Sequence, residues 1–101
     1  MPRFFLLLAI FTIASWYNYS LPNWPNAGAE RLTTASRDYP RGTKLQVCRT
    51  TPKKPCVIVW VNDYGPEVKK YPERGLDLSL RAFRALANPK VGLIQVEVTE
   101  L

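Results

Sequence analysis

Most apolar runs in the chain are short, repeat with a strand-like period of two, and are separated by polar or proline-bearing connections. Residues 13–17, "IASWY", combine β-branched and aromatic side chains and predict a strand. The stretch 18–31, "NYSLPNWPNAGAER", is rich in asparagine and interrupted by Pro22, Pro25 and Gly28; it predicts a long surface loop with Trp24 at its centre. "LTTAS" over 32–36 predicts a short strand, and "RDYPRGT" a turn. "KLQVC" over 44–48 alternates, with Leu45 and Val47 on one face. "CVIVWVN" over 56–62 is continuously apolar, which places Trp60 in the core and pairs the two runs as a hairpin. "DYGPEVKKYPERG" reads as loop. In "LDLSLRAFRALANP", Ser79 is a good N-cap, Leu80, Phe83, Leu86 and Ala87 share a face, Arg81 and Arg84 point to water, and Asn88-Pro89 stops the helix. "GLIQVEVTEL" closes the chain as a strand with Ile94, Val96 and Val98 inward and Gln95 and Glu97 outward. Many short strands with one late, short helix suggest a small closed β-barrel more than a sandwich.

Composition narrows the chemistry. A chain of 101 residues with 47% hydrophobic content forms one modest core, hence one domain. Lys plus Arg outnumber Asp plus Glu by 14 to 8, a net charge of +6 that favours an anionic partner. The basic residues are spread along the chain, as on a generally basic surface rather than a nucleic-acid stripe. Histidine is absent, which excludes Ser-His-Asp and Cys-His catalysis and the usual histidine zinc sites; no metal and no cofactor are expected. Acid–base chemistry falls to a carboxylate: Glu30, Asp38, Asp63, Glu67, Glu73, Asp77, Glu97 or Glu100.

Cys48 and Cys56 end and begin the two runs of the hairpin, and cross-strand neighbours at a hairpin mouth come within disulfide range. A Cys48–Cys56 disulfide implies an oxidising, exported setting. The alternative is two free thiols in a reducing compartment. Residues 1–12 carry one early charge and an apolar run of signal-peptide length. This segment is expected to be a signal remnant, a membrane anchor or a first strand, set apart from a domain over 13–101.

Four stretches, "ASWY" at 14–17, "RLTTASRDYPRGTKLQV" at 31–47, "VNDYGP" at 61–66 and "GLDLSLRAF" at 75–83, occur in the order and spacing of the rare lipoprotein A (RlpA)-like family. That family's signatures are A-S-W-Y-G, L-T-A-A-H…P-F-G-T, V-N-D-R-G-P and I-D-L-S, and it is distantly related to expansins and barwin. The chain resembles it over roughly residues 13–99. The resemblance implies a mainly β fold, a six-stranded double-psi β-barrel, here with one short helix and a hairpin disulfide. It implies a polysaccharide groove and a secreted or cell-envelope bacterial protein, expected to be a monomer, whose partner is peptidoglycan or another cell-wall glycan. Some relatives are lytic transglycosylases. The family's acidic pair falls on Asp63 and Asp77, Ser15, Trp16 and Tyr17 match the groove-lining opening motif, and Ser36 stands where the family has a functional histidine. Asn62 and Tyr64, the latter replacing the usual arginine, flank Asp63 and join Trp24 in the expected substrate-binding set.

The residues themselves support a carboxylate mechanism. Asp63 follows an apolar strand and precedes Gly65-Pro66, so its side chain is expected at a half-shielded rim, where desolvation would raise its pKa and suit it to act as general acid. Asp77, just ahead of the helix, would stabilise positive charge at the sugar. Non-catalytic, expansin-like glycan binding is the first alternative. Nucleic-acid binding is the second; it leaves the aspartates unexplained, since carboxylates repel phosphate.

Overall fold

The structure, a computed structural model, describes residues 8–18 and 31–101. Among these residues six strands form: β1 (Ala9–Tyr17), β2 (Thr33–Ser36), β3 (Lys44–Arg49), β4 (Cys56–Asp63), β5 (Arg74–Ser79) and β6 (Ile94–Glu100). They close into a barrel in the order β1-β5-β2-β4-β3-β6. The pairs β1–β5 and β2–β4 run parallel and the remaining four antiparallel. One short helix, α1 (Leu80–Arg84), follows β5 directly, and a 3-10 turn spans Pro89–Val91. This is the expected mainly β, double-psi barrel.

Period-two alternation fills the interior. Ala14, Leu45, Val47, Val59, Val61, Leu76, Leu78, Ile94, Val96 and Val98 are all buried and form one cluster. From α1 come Ala82 and Phe83, with Leu86 just beyond it; the fully buried Phe83 packs against Trp16 with ring centroids 6.4 Å apart. Emptying a site like that of Phe83 costs about 3–5 kcal/mol. Ser79 caps α1 as its sequence position suggests, its hydroxyl accepting from the Ala82 amide, and Arg81 and Arg84 lie on the exposed side. The hairpin is closed by the Cys48–Cys56 disulfide between register partners. For so short a loop, chain entropy makes it worth about 2–3 kcal/mol.

Three local readings change. β1 starts at Ala9 rather than at residue 13, pairing with β6 from Ala9–Thr99 onward; its first residues escape the strand pattern because Ile10 and Phe11 are both apolar and both exposed. Of the apolar segment 1–12, residues 1–7 lie outside the described residues, while 9–12 belong to the barrel. β5 occupies residues expected to be loop and helix start, because Leu76 and Leu78 are the inward positions of a strand rather than the first turn of a helix. Trp60 is 51% exposed, because Val57, Val59 and Val61 take the inward positions of β4 and leave Ile58 and Trp60 outside.

Each parallel pair carries one register shift. Ile13 and Ala14 face Arg74 and Leu76, so β5 holds an extra residue, Gly75. Thr34 and Ala35 face Val61 and Asp63, so β4 holds an extra residue, Asn62. Such insertions reset which side chains face out. At Gly75 the neighbouring strand is so close that a Cβ would lie 2.3 Å from Thr12 Oγ1 and 2.9 Å from its Cγ2. Gly75→Ala should therefore destabilise the protein by about 1–3 kcal/mol in chemical unfolding, and adding Thr12→Ala should recover part of the loss.

Candidate functional site

Register assembles the site on the outside of the barrel. Ser15 on β1 faces Asp77 on β5, Asp77 faces Ala35 on β2, and Ala35 faces Asp63 on β4. The two aspartates thus flank one alanine, two strand spacings or about 10 Å apart at the backbone. Regular alternation through Asn62 after the inward Val61 would turn Asp63 into the barrel; the register shift at Asn62 keeps it on the outer face. Gly65, at φ +145, crosses over Ala35, its Cβ position 3.9 Å from that of the alanine. That backbone conformation favours glycine. The neighbouring line along the strands brings together Tyr17 with Ser79, and Thr33 with Trp60 and Lys44. Small side chains form the floor of this trough, and Trp60 and Tyr64 stand exposed beside it.

The acidic residues differ in environment. Asp77 is partly buried, and Ser15 Oγ donates to its Oδ1 at 3.0 Å. Burial raises the Asp77 pKa above the ordinary carboxylate value, and the negative charge of Asp63 adds to the rise. The Ser15 hydrogen bond and the Arg74 charge pull the other way without cancelling it. Asp63 has a half-exposed side chain; its Oδ1 accepts from the Tyr64 amide at 2.8 Å and lies 3.5 Å from Arg41 Nη2. An exposed pair of this kind contributes about 0–1 kcal/mol. The burial that favours a protonated acid therefore falls on Asp77, where the sequence pattern led us to expect it at Asp63.

The remaining expected site residues divide. Ser15, Tyr17, Asn62 and Tyr64 lie on or beside the trough; the Tyr17 hydroxyl is 3.0 Å from Thr33 Oγ1. Trp16 faces away from it, against Phe83, and its Nε1 donates to the Pro89 carbonyl at 2.9 Å. Ser36 is buried, and its hydroxyl accepts from the Asp38 and Tyr39 amides, holding the turn after β2 instead of lining the trough. Trp24 lies outside the described residues. Arg37 secures the loop after β4, donating to the carbonyls of Tyr71 and Pro72. Trp60, expected in the core, stands exposed beside the trough; the parity it shares with Ile58, opposite to the three valines, is the sequence signal for that exposure.

Residues 12–98, nearly the whole chain, match the lytic transglycolase family model. The chain belongs to this double-psi barrel family. The lytic transglycolase fold is also similar to the crystal structure of an apo expansin from Clavibacter michiganensis, with a TM-score of 0.68 and 28% identity over 93% of this chain and 50% of that one. An aspartate-to-asparagine variant of the Clavibacter michiganensis expansin, in complex with cellohexaose, gives a TM-score of 0.66 and 25% identity over the same shares. The chain spans about half the length of these expansins. No curated protein matches it in sequence.

In this lytic transglycolase-family barrel, the raised Asp77 pKa has a consequence for stability. The folded state holds the proton more tightly than the unfolded one, so Asp77 is harmless below its ordinary value of 3.8 and costs stability as pH rises through its raised value. Asp77→Asn keeps an acceptor for Ser15. It should raise Tm at neutral pH, with the difference from wild type vanishing in acid, as read from thermal unfolding across pH.

Proposed function

We propose that the chain acts outside the reducing cytosol on a cell-wall polysaccharide, cleaving glycan strands by lytic transglycosylation with Asp77 as the acid/base. The observation that carries this reading is the partly buried Asp77, whose pKa burial raises, held by a hydrogen bond from Ser15 and separated from Asp63 by Ala35. Protonated Asp77 donates its proton to the glycosidic oxygen, and the leaving sugar departs as an alcohol. The resulting carboxylate takes the proton of the remaining sugar's own 6-hydroxyl as that oxygen closes on the anomeric carbon, so no water is consumed. The charge of Asp63 stabilises the oxocarbenium-like transition state from the far side of Ala35. These roles exchange those expected from the motifs, and the burial of Asp77, which favours its protonated form, supports the exchange. Peptidoglycan strands stripped of their peptides are the proposed substrate, and the Cys48–Cys56 disulfide suits an exported protein.

A second reading, glycan binding without cleavage, is favoured by the two expansin neighbours and by Ser36, which stands where relatives have histidine and is committed to backbone amides. Incubation of the oxidised protein with peptide-stripped strands, followed by mass spectrometry, separates the two. Transglycosylation gives 1,6-anhydro ends. Asp77→Asn should lower their rate of formation about 10²–10⁴-fold, and Asp63→Asn about tenfold, or ~1.4 kcal/mol of barrier. Strand binding with no anhydro product in the wild type overturns the enzymatic reading in favour of the second.

A further inference from the structure

Next to the aspartates, one step along the strands, a cavity of about 440 Å³ is lined by Arg31, Leu32, Thr33, Trp60, Asn62 and Arg81. We propose that this cavity is a binding subsite for a carboxylate carried by a glycan, so that the trough selects acidic polysaccharides over neutral ones. The inference rests on the glycan reading above and adds to it the charge of the sugar. Two arginines, Arg31 from the chain before β2 and Arg81 from α1, line the same space, and both are exposed. The planar donor fork of arginine matches a carboxylate. Asn62 adds an amide, and Trp60 offers an amphipathic wall for a sugar ring. Beyond the tryptophan, Lys44 Nζ sits 5.6 Å from the ring centroid and adds a third positive charge.

Among the described residues that line it, none is acidic. Asp63 and Asp77 belong to the adjoining line of residues, and Asp63 is paired with Arg41. Thr33 and Trp60 lie about 7 Å along the strands from that line, two residues of strand rise. A chain crossing the aspartates would thus place the substituent of a neighbouring sugar, rather than the scissile bond, between the arginines.

Binding can be measured by calorimetry on two ligand pairs: an oligogalacturonide against its methyl ester, and peptide-stripped glycan strands before and after amidation of their carboxyls. The wild type should prefer the acid form by about tenfold in at least one pair, the effect of one charge-assisted contact. The double variant Arg31→Gln/Arg81→Gln should reduce that preference to less than about twofold while binding the neutral form as before. Lys69→Gln/Lys70→Gln removes the same charge from an exposed loop and should leave the preference intact. Equal binding of acid and neutral forms by the wild type overturns this subsite alone. So does an equal loss of preference in the lysine variant, which would assign it to net charge. Failure of every ligand to bind overturns the glycan reading together with the subsite. Unfolding curves of both variants identify any loss caused by misfolding, in which case the single Arg31→Gln and Arg81→Gln variants decide by the same criterion.

Discussion

Everything on the outer face depends on two strand pairs being held one residue out of step. A regular six-stranded barrel would alternate side chains without interruption and send Asp63, two residues after the inward Val61, back to the core side. The extra residues Gly75 and Asn62 re-phase β5 and β4, so that Asp77 and Asp63 both emerge on the line that runs through Ala35. Closing the barrel leaves no edge strand that could slip to relieve the shift. The acidic pair is thus a product of the main-chain ladder, and the side chains that fill the interior fix it in place.

The pattern of the chain carried much of this architecture. Alternation identified β3 and β6, the apolar run identified β4, and Ser79 marked the start of α1. Motif order then supplied a barrel topology that periodicity alone cannot specify. β5 stayed hidden because six residues with two leucines fit the opening turn of a helix as well as a strand. Trp60 was misjudged because an uninterrupted apolar run does not say which of its faces meets water. Ser36 and Trp16 lie off the trough for a different reason. Their motif positions were right, but a hydroxyl can turn to the backbone and an indole can turn to a neighbouring ring, and the sequence records neither choice.

The unequal burial of the two aspartates is also not readable from the pattern. Asp77 follows Leu76 and Asp63 follows Asn62, and both occur in recognisable motifs. The difference comes from depth: β5 lies between β1 and β2, with Ser15 and Ala35 on either side of Asp77, whereas Asp63 closes β4 where the chain leaves the sheet toward solvent and Arg41. A carboxyl in the middle of a sheet face loses water that one at a strand end retains.

Ser79 shows what such a packed junction leaves over. Its hydroxyl donates to the Arg31 carbonyl and accepts from the amides of Thr33 and Ala82. One proton and two lone pairs are all a serine has. The residue stands in the line between Tyr17 and Thr33, yet it has nothing left with which to greet a visiting molecule. A hydroxyl brought above it would meet a chemically silent patch, and the polar groups beside it are those of the flanks, where Trp60, Asn62 and the two arginines stand.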